Sequence, residues 1–333
     1  MIFVTGGTGI VGSHLLMKLL EKGYTPTAIY RSEDSLDIFK KMEQWYQKPK
    51  GFFDTINWVK CELHQEAHLK EAMQGAETIF HCAALVSFQA GDQQKLEKAN
   101  IVGTKTMVDL AITVGVKHFY HVSSTSSIGK NKNKSELINE SNQWKKSNRE
   151  SNYAISKYFA ELEVWRGYEE GLNGAIVNPS IVIGPGNWGK SSTSLFMAID
   201  KGLKFYTKGA NGFVDVRDVA NGIYLAFEKK VNRERILLVG ENKTYKDVFS
   251  EIASSLGKKP PTIKVGKLAS AIAWRLLWVW RLISRKDVAV TKETAHSSNA
   301  TNFYSNEKSL RLLDIKYHAV SDAIKHTANC FKK

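Results

Sequence analysis

Ile2-Phe3-Val4-Thr5-Gly6-Gly7-Thr8-Gly9-Ile10-Val11-Gly12 is the stretch that decides the fold. Ile2, Phe3 and Val4 make a short buried strand. Leu15, Leu16, Leu19 and Leu20 follow at helical spacing up to Gly23, so the glycines form a turn between a strand and a helix. Gly7, Gly9 and Gly12 fit G-x-G-x-x-G, and Gly6, Gly9 and Gly12 also fit G-x-x-G-x-x-G. A diphosphate needs backbone N–H groups at a helix N-terminus, no Cβ atoms where it approaches, and a small residue where helix meets strand. Glycines at these spacings supply all three. The flanking strand and helix separate this turn from a plain Gly-rich one.

The alternation continues outward. Strands are expected near Thr27–Tyr30, Ile56–Val59, Thr78–Cys82, Phe119–Val122 and Ala175–Val177, with helices near Asp34–Trp45, Gln93–Val114 and Tyr153–Tyr168. Repeated strand-helix-strand units imply an α/β fold, a doubly wound parallel sheet covered on both faces. After Asn178 the rhythm changes. Gly184, Pro185, Gly186 and Gly189 cluster, and later segments are more basic and richer in Trp. Phe213–Phe227 reads as a return to the sheet layer. Helices are expected near Tyr245–Leu256 and Val320–Cys330, with a break at Pro260-Pro261. The expected division is a dinucleotide-binding Rossmann domain at 1–177 and 213–239, and a smaller, discontinuous, mainly helical substrate-binding region at 178–212 and 240–333.

Composition bounds the class. The 333 residues are 43% apolar and 24% charged, which fits a folded globular chain and excludes collagen-like and disulfide-scaffold classes. Cys61, Cys82 and Cys330 are too widely spaced for a CxxC metal pair or a disulfide framework, and no metal site is expected. A reducing cytoplasm is the expected location, because the first strand runs straight into the turn without a secretory leader and no stretch of about 18 apolar residues occurs. The 47 Lys and Arg against 33 Asp and Glu give a formal charge of +14. Phosphorylated small molecules, an anionic membrane surface and nucleic acid all suit that charge. Nucleic acid is set aside, because the basic residues are dispersed and no nucleic-acid-binding motif is present.

At the end of the second strand, where NAD calls for Asp or Glu, the chain reads Ile29-Tyr30-Arg31-Ser32. Arg31 offers a guanidinium to a 2′-phosphate and so favours NADPH, with NAD as the alternative and a solvated strand-end charge as its plain role. Tyr153-Ala154-Ile155-Ser156-Lys157 puts a phenol and an ammonium on one helical face, after a strand ending in Val122-Ser123-Ser124-Thr125. A Tyr that titrates near pH 10 in water needs a nearby cation to exchange protons near neutrality.

These residues, with His81-Cys82-Ala83-Ala84, Asn100-Ile101-Val102-Gly103-Thr104, Asn178-Pro179-Ser180 and Val214-Asp215-Val216-Arg217-Asp218-Val219-Ala220, resemble the extended short-chain dehydrogenase/reductase family of NAD-dependent epimerase/dehydratase type. The branch they most resemble is the dihydroflavonol-reductase-like one. The resemblance implies Tyr153 as acid/base, Lys157 as the ribose ligand that lowers the Tyr153 pKa, and Ser124 as holder of the substrate oxygen, with Thr125 as the alternative hydroxyl. It places the cofactor on Gly6, Thr8, Gly9, Ile10, Val11, Arg31, Glu62, Leu63, Cys82, Ala83, Ala84, Tyr153, Lys157, Asn178, Pro179 and Ile181. Glu62 departs from the family, which often has Gly-Asp-Leu where this chain has Cys61-Glu62-Leu63.

The first function expected is therefore an NADPH-dependent oxidoreductase that reduces a ketone or aldehyde of a small organic substrate. A nucleotide-sugar epimerase or dehydratase with tightly bound NAD is the alternative, and a catalytically silent cofactor sensor is the third. No residue between Gly184 and Gly212 identifies the substrate. His64 and His68 read as a solvated helix face, His118 and His121 as satisfied structural histidines, and Cys82 as packing. The segment 267–286, with Trp274, Trp278, Trp280, Arg275, Arg281 and Arg285, reads as a lid over an apolar substrate in preference to a membrane-surface helix. Weak membrane-surface contact through it, and a homodimer, are left open.

Overall fold

The computed structural model describes residues 1–89, 91–131, 136–145, 147, 150–189, 191–266, 269–272, 274–275 and 291–332. Its main sheet begins with β1 (Ile2–Thr5), β2 (Thr27–Tyr30), β3 (Asn57–Lys60), β4 (Thr78–His81), β5 (His118–Val122) and β6 (Ala175–Pro179). The chain then makes β7 (Ile181–Ile183), β8 (Phe205–Tyr206) and β9 (Ala210–Asp215) before β10 (Glu234–Leu238) closes the main sheet as its seventh strand. The order is β10-β6-β5-β4-β1-β2-β3, parallel throughout. The direction of winding reverses between β1 and β4, and the crevice at the carboxyl ends of those strands is where ligands of such sheets bind.

Side-chain parity along the strands divides the core. Val4, Phe80, Tyr120 and Val122 face α1 (Ile10–Glu21) and its neighbour α2 (Asp37–Trp45). Phe3, Ile79 and Phe119 face the opposite layer, where α3 (Glu66–Ala72), α4 (Gln93–Leu96), α5 (Gly103–Thr113) and α6 (Asn152–Glu169) lie. The helix read as continuous from Gln93 to Val114 is interrupted by a π-helical stretch, Glu97–Val102. Ser151 caps α6 by accepting the amide N–H of Ala154 at 3.0 Å.

The later chain departs from the sequence reading at one strand. After α7 (Ser194–Asp200), β9 does not join the main sheet; it lies in a three-stranded sheet between β7 and β11 (Glu241–Thr244). Only α8 (Val216–Glu228), packed on α1, and β10 return to the main layers. Phe213 and Ile183 of the small sheet bury against Phe196 of α7, Val248 and Ile252 of α9 (Tyr245–Leu256), and Val320 and Ile324 of the C-terminal helix Val320–Phe331. β8 pairs with β12 (Ile263–Lys264). No helix among the described residues is long and apolar enough to cross a membrane. Trp278, Trp280, Arg281 and Arg285 lie outside the described residues, and with them most of the segment read as a lid. Within it, the Arg275 guanidinium lies 4.6 Å over the Trp274 ring.

Candidate active site

β1 delivers the chain into Gly6 at φ +68°, where a Cβ would stand 2.5 Å from the Ala83 nitrogen. Only glycine lets the turn lie against the chain leaving β4. The Gly9 N–H donates to the Gly6 carbonyl at 3.0 Å, and a Cβ at Gly12 would meet that carbonyl oxygen at 2.1 Å. The first turn of α1 therefore presses on the glycine turn. Gly9 is its N-cap, no side chain caps the helix, and no acid stands in its first turn. Such an amino end, positive and bare of side chains, fits a diphosphate. Thr8, Gly9, Ile10 and Val11 keep partial or full exposure along it.

β5 ends two residues before Ser124, and the first turn of α6 brings Tyr153 across to it. The Tyr153 hydroxyl faces the Ser124 side chain, whose Oγ accepts from Ser126 Oγ at 2.8 Å, and the Phe88 ring stands edge-on to Tyr153 at 5.6 Å between centroids. Thr125 faces the Tyr304 hydroxyl, and Ser124 that of Tyr153. Burial pushes the Tyr153 phenol up to about 12, opposed by the Ser124 side chain. Lys157, one turn further along α6, is 1% exposed. Its ammonium donates to the Val122 carbonyl at 2.9 Å and lies 3.4 Å from His121 Nε2. Burial pulls it down to about 8, while Glu161 and Cys82 oppose the fall. Lys157 is thus turned inward onto β5.

Two buried clusters fix this arrangement. Asn100, in the π-helical stretch, accepts the Leu85 N–H at 2.7 Å and donates to the Leu85 carbonyl at 2.9 Å and to Ser156 Oγ at 2.9 Å. Ser156 Oγ in turn donates to the Tyr153 carbonyl at 2.8 Å. On the far side, Glu161 accepts from Ser127 Oγ and, at 2.6 Å, from Asn178 Nδ2, and its other oxygen pairs with Arg235 at 2.7 Å. Asn178 Nδ2 also reaches the Ser124 carbonyl at 3.0 Å, so it steadies the turn that presents the serine.

A model of the NAD dependent epimerase/dehydratase family matches residues 2–240. The chain belongs to that family. This makes it an NAD(P)-dependent enzyme of the extended short-chain dehydrogenase/reductase type. It is 32% identical over 258 residues to tetraketide alpha-pyrone reductase 2 of Arabidopsis thaliana, covering 70% of this chain and 76% of that one. It is 25% identical over 332 residues to the decarboxylating sterol-4-alpha-carboxylate 3-dehydrogenase of Dictyostelium discoideum, covering 93% and 94%. Plant proteins named dihydroflavonol 4-reductase and cinnamoyl-CoA reductase 1 are also relatives. Among solved structures, the UDP-glucuronic acid 4-epimerase of Bacillus cereus with UDP-glucuronic acid and NAD superposes with a TM-score of 0.76 over 99% of this chain and 98% of that one. At 18% identity, that likeness is one of fold.

Within this epimerase/dehydratase-family chain, the remaining predicted positions gather along the carboxyl ends of the strands. Cys82, Ala83 and Ala84 leave β4 beside Gly6. Arg31 is exposed at the end of β2, with no ion pair among the described residues. Glu33 is held back by the Tyr30 hydroxyl at 2.7 Å. Glu62 is exposed beyond β3, its carboxylate 3.6 Å from His64 Nδ1, and Leu63 packs near Gly103. Asn178 and Pro179 end β6 and Ile181 opens β7. The Asn178 amide nitrogen is spent on Ser124, Ser127 and Glu161, while its Oδ1 has no partner among the described residues. The Cys82 thiol is pushed up to about 12 by burial, in keeping with packing.

His121 departs from the reading of a satisfied structural histidine. It is fully buried against Lys157, and its Nδ1 has no partner among the described residues. The signal was strand parity: His121 shares a face with Phe119, and that face is the one α6 covers.

Proposed function

We propose that this protein is an NADPH-dependent reductase of a ketone or aldehyde. The chemistry rests on Tyr153 facing Ser124, with the Lys157 ammonium buried on the end of β5. A nicotinamide cofactor, which the glycine turn at Gly6–Gly12, Arg31 and Lys157 would hold, would supply the hydride. As it arrives at the carbonyl carbon, negative charge grows on the oxygen. Ser124 stabilises that oxygen as a donor, and Tyr153, protonated at neutral pH, delivers the proton. Lys157 contributes a fixed positive charge in a site of low dielectric.

The observation that carries the reductase reading over the epimerase one is Arg31, exposed and unpaired among the described residues where a 2′-phosphate would lie. The test is to release and identify the cofactor that purifies with the protein, then to follow NADPH oxidation with a panel of carbonyl compounds. Exchangeable NADPH consumed by at least one carbonyl is expected. Tightly retained NAD with turnover of a nucleotide sugar would replace this reading with the epimerase one, and binding without turnover would leave a cofactor sensor. In the active protein, Tyr153→Phe lowers turnover at least about a hundredfold and leaves the NADPH dissociation constant nearly unchanged.

A further inference from the structure

The Lys157 ammonium lies between two protein acceptors, the Val122 carbonyl at 2.9 Å and His121 Nε2 at 3.4 Å. An imidazole accepts at Nε2 only when it is neutral and carries its proton on Nδ1. That Nδ1 is buried and has no partner among the described residues. The opposite tautomer aims an N–H at an ammonium and leaves a lone pair without a donor. One buried nitrogen of this ring is therefore unsatisfied in either tautomer, and only the Nδ1–H form serves Lys157. A native interior rarely keeps such a group without a use for it. Beneath it, the His81 ring stacks at 5.2 Å and 23°, its Nδ1 on Thr5 Oγ1 at 2.7 Å and its Nε2 on Thr104 Oγ1 at 3.0 Å.

We infer that His121 is a positioning residue, the buried neutral acceptor that fixes the Lys157 ammonium at the end of β5. This rests on the reading of Lys157 as the cation of a reductase site. The groups facing the pair are few. From β4 and its end come His81 and Cys82, and from α6 comes Glu161. Burial and the Lys157 charge hold His121 well below the ordinary imidazole range, and burial pulls His81 down to about 3, so both rings stay uncharged beside the ammonium at any working pH. Removing the acceptor takes a hydrogen bond from the charged form of Lys157 and moves its titration to lower pH.

The first test needs neither cofactor nor substrate. Long-range proton–nitrogen correlation spectra of the protein labelled with 15N-histidine, with His121→Gln for assignment, report the state of each ring. His121 is expected neutral as the Nδ1–H tautomer from pH 5.5 to 8, and Lys157→Met is expected to shift it toward Nε2–H, the form preferred by free histidine. A His121 that titrates near 6.5, or that is Nε2–H in the unsubstituted protein, overturns the inference. The second test is the pH profile of turnover at saturating NADPH. His121→Phe is expected to move the alkaline midpoint down by about one unit, as loss of one hydrogen bond to a charged group implies, and His121→Gln to restore it. A uniform loss at every pH would make His121 merely structural. Should no carbonyl be turned over, the reductase reading fails while the spectra still decide the role of His121.

Discussion

Arg31 and His121 stand at opposite ends of what single residues disclose. Arg31 was legible as the residue just past β2, because strand ends can be read from sequence, and cofactor choice is its proposed role. Arg31→Asp is therefore expected to reverse the preference, weakening NADPH relative to NADH by at least about tenfold at one fixed salt concentration, since exposed phosphate pairs are screened. Dissociation constants for both cofactors in both proteins check this, and an unchanged NADPH affinity removes Arg31 as the discriminator. Ser124, Tyr153 and Lys157 were legible by spacing. The surroundings of Ser124 and Thr125 were not, because Tyr304, which faces Thr125, comes from far along the chain. His121 was hidden for a similar reason: its partner is set by which helix covers which face of β5.

Among the elements, the six strands β1 to β6 and the long helices between them followed from apolar runs and periodicity, whereas β10, the seventh strand of the main sheet, was not read as a strand. The small sheet did not follow either, since β7, β9 and β11 are short and take their partners from distant segments. The π-helical stretch was equally invisible, being a single-turn deviation that turns Asn100 onto Leu85 and Ser156. Asn100→Ala leaves the Leu85 N–H and carbonyl without these partners and is expected to lower stability by about 1–3 kcal/mol. Hydrogen exchange at Leu85 should accelerate well beyond that at the centre of β1; equal protection in the two proteins would show that Asn100 does not hold the loop. The Glu161–Arg235 pair ties α6 to β10 with the Glu161 carboxylate fully buried. Arg235→Met strands that charge and is expected to cost about 3–5 kcal/mol in urea unfolding, with part of the loss recovered by adding Glu161→Gln. Full stability in the single variant would show that Asn178 and Ser127 alone suffice.

Over the whole molecule, three imidazoles are locked in uncharged form. His14, held by the Ile10 carbonyl and the Tyr46 hydroxyl, is pulled down to about 4 by burial, His81 to about 3, and His121 well below its ordinary value. Each has a folded-state pKa below its unfolded value. Below pH 6.5 the unfolded chain takes up protons that the folded one refuses, and stability is lost as the pH falls from 6.5 toward 4. Each group contributes up to about 1.4 kcal/mol per pH unit across that window. Urea unfolding at pH 7 and pH 5 should therefore differ by several kcal/mol, and His14→Gln should narrow the gap; equal stability at the two values would contradict the buried neutral state.

The order of strands also governs how the molecule is made. β6 takes its outer neighbour from β10, and residues 180–233 intervene. A nascent chain leaving the ribosome thus carries β6 as an open edge until residue 238 has emerged, with one row of its amides and carbonyls unpaired. Unpaired edges recruit other strands. Translation paused within that interval yields a species prone to self-association and proteolysis, and completing β10 ends the exposure.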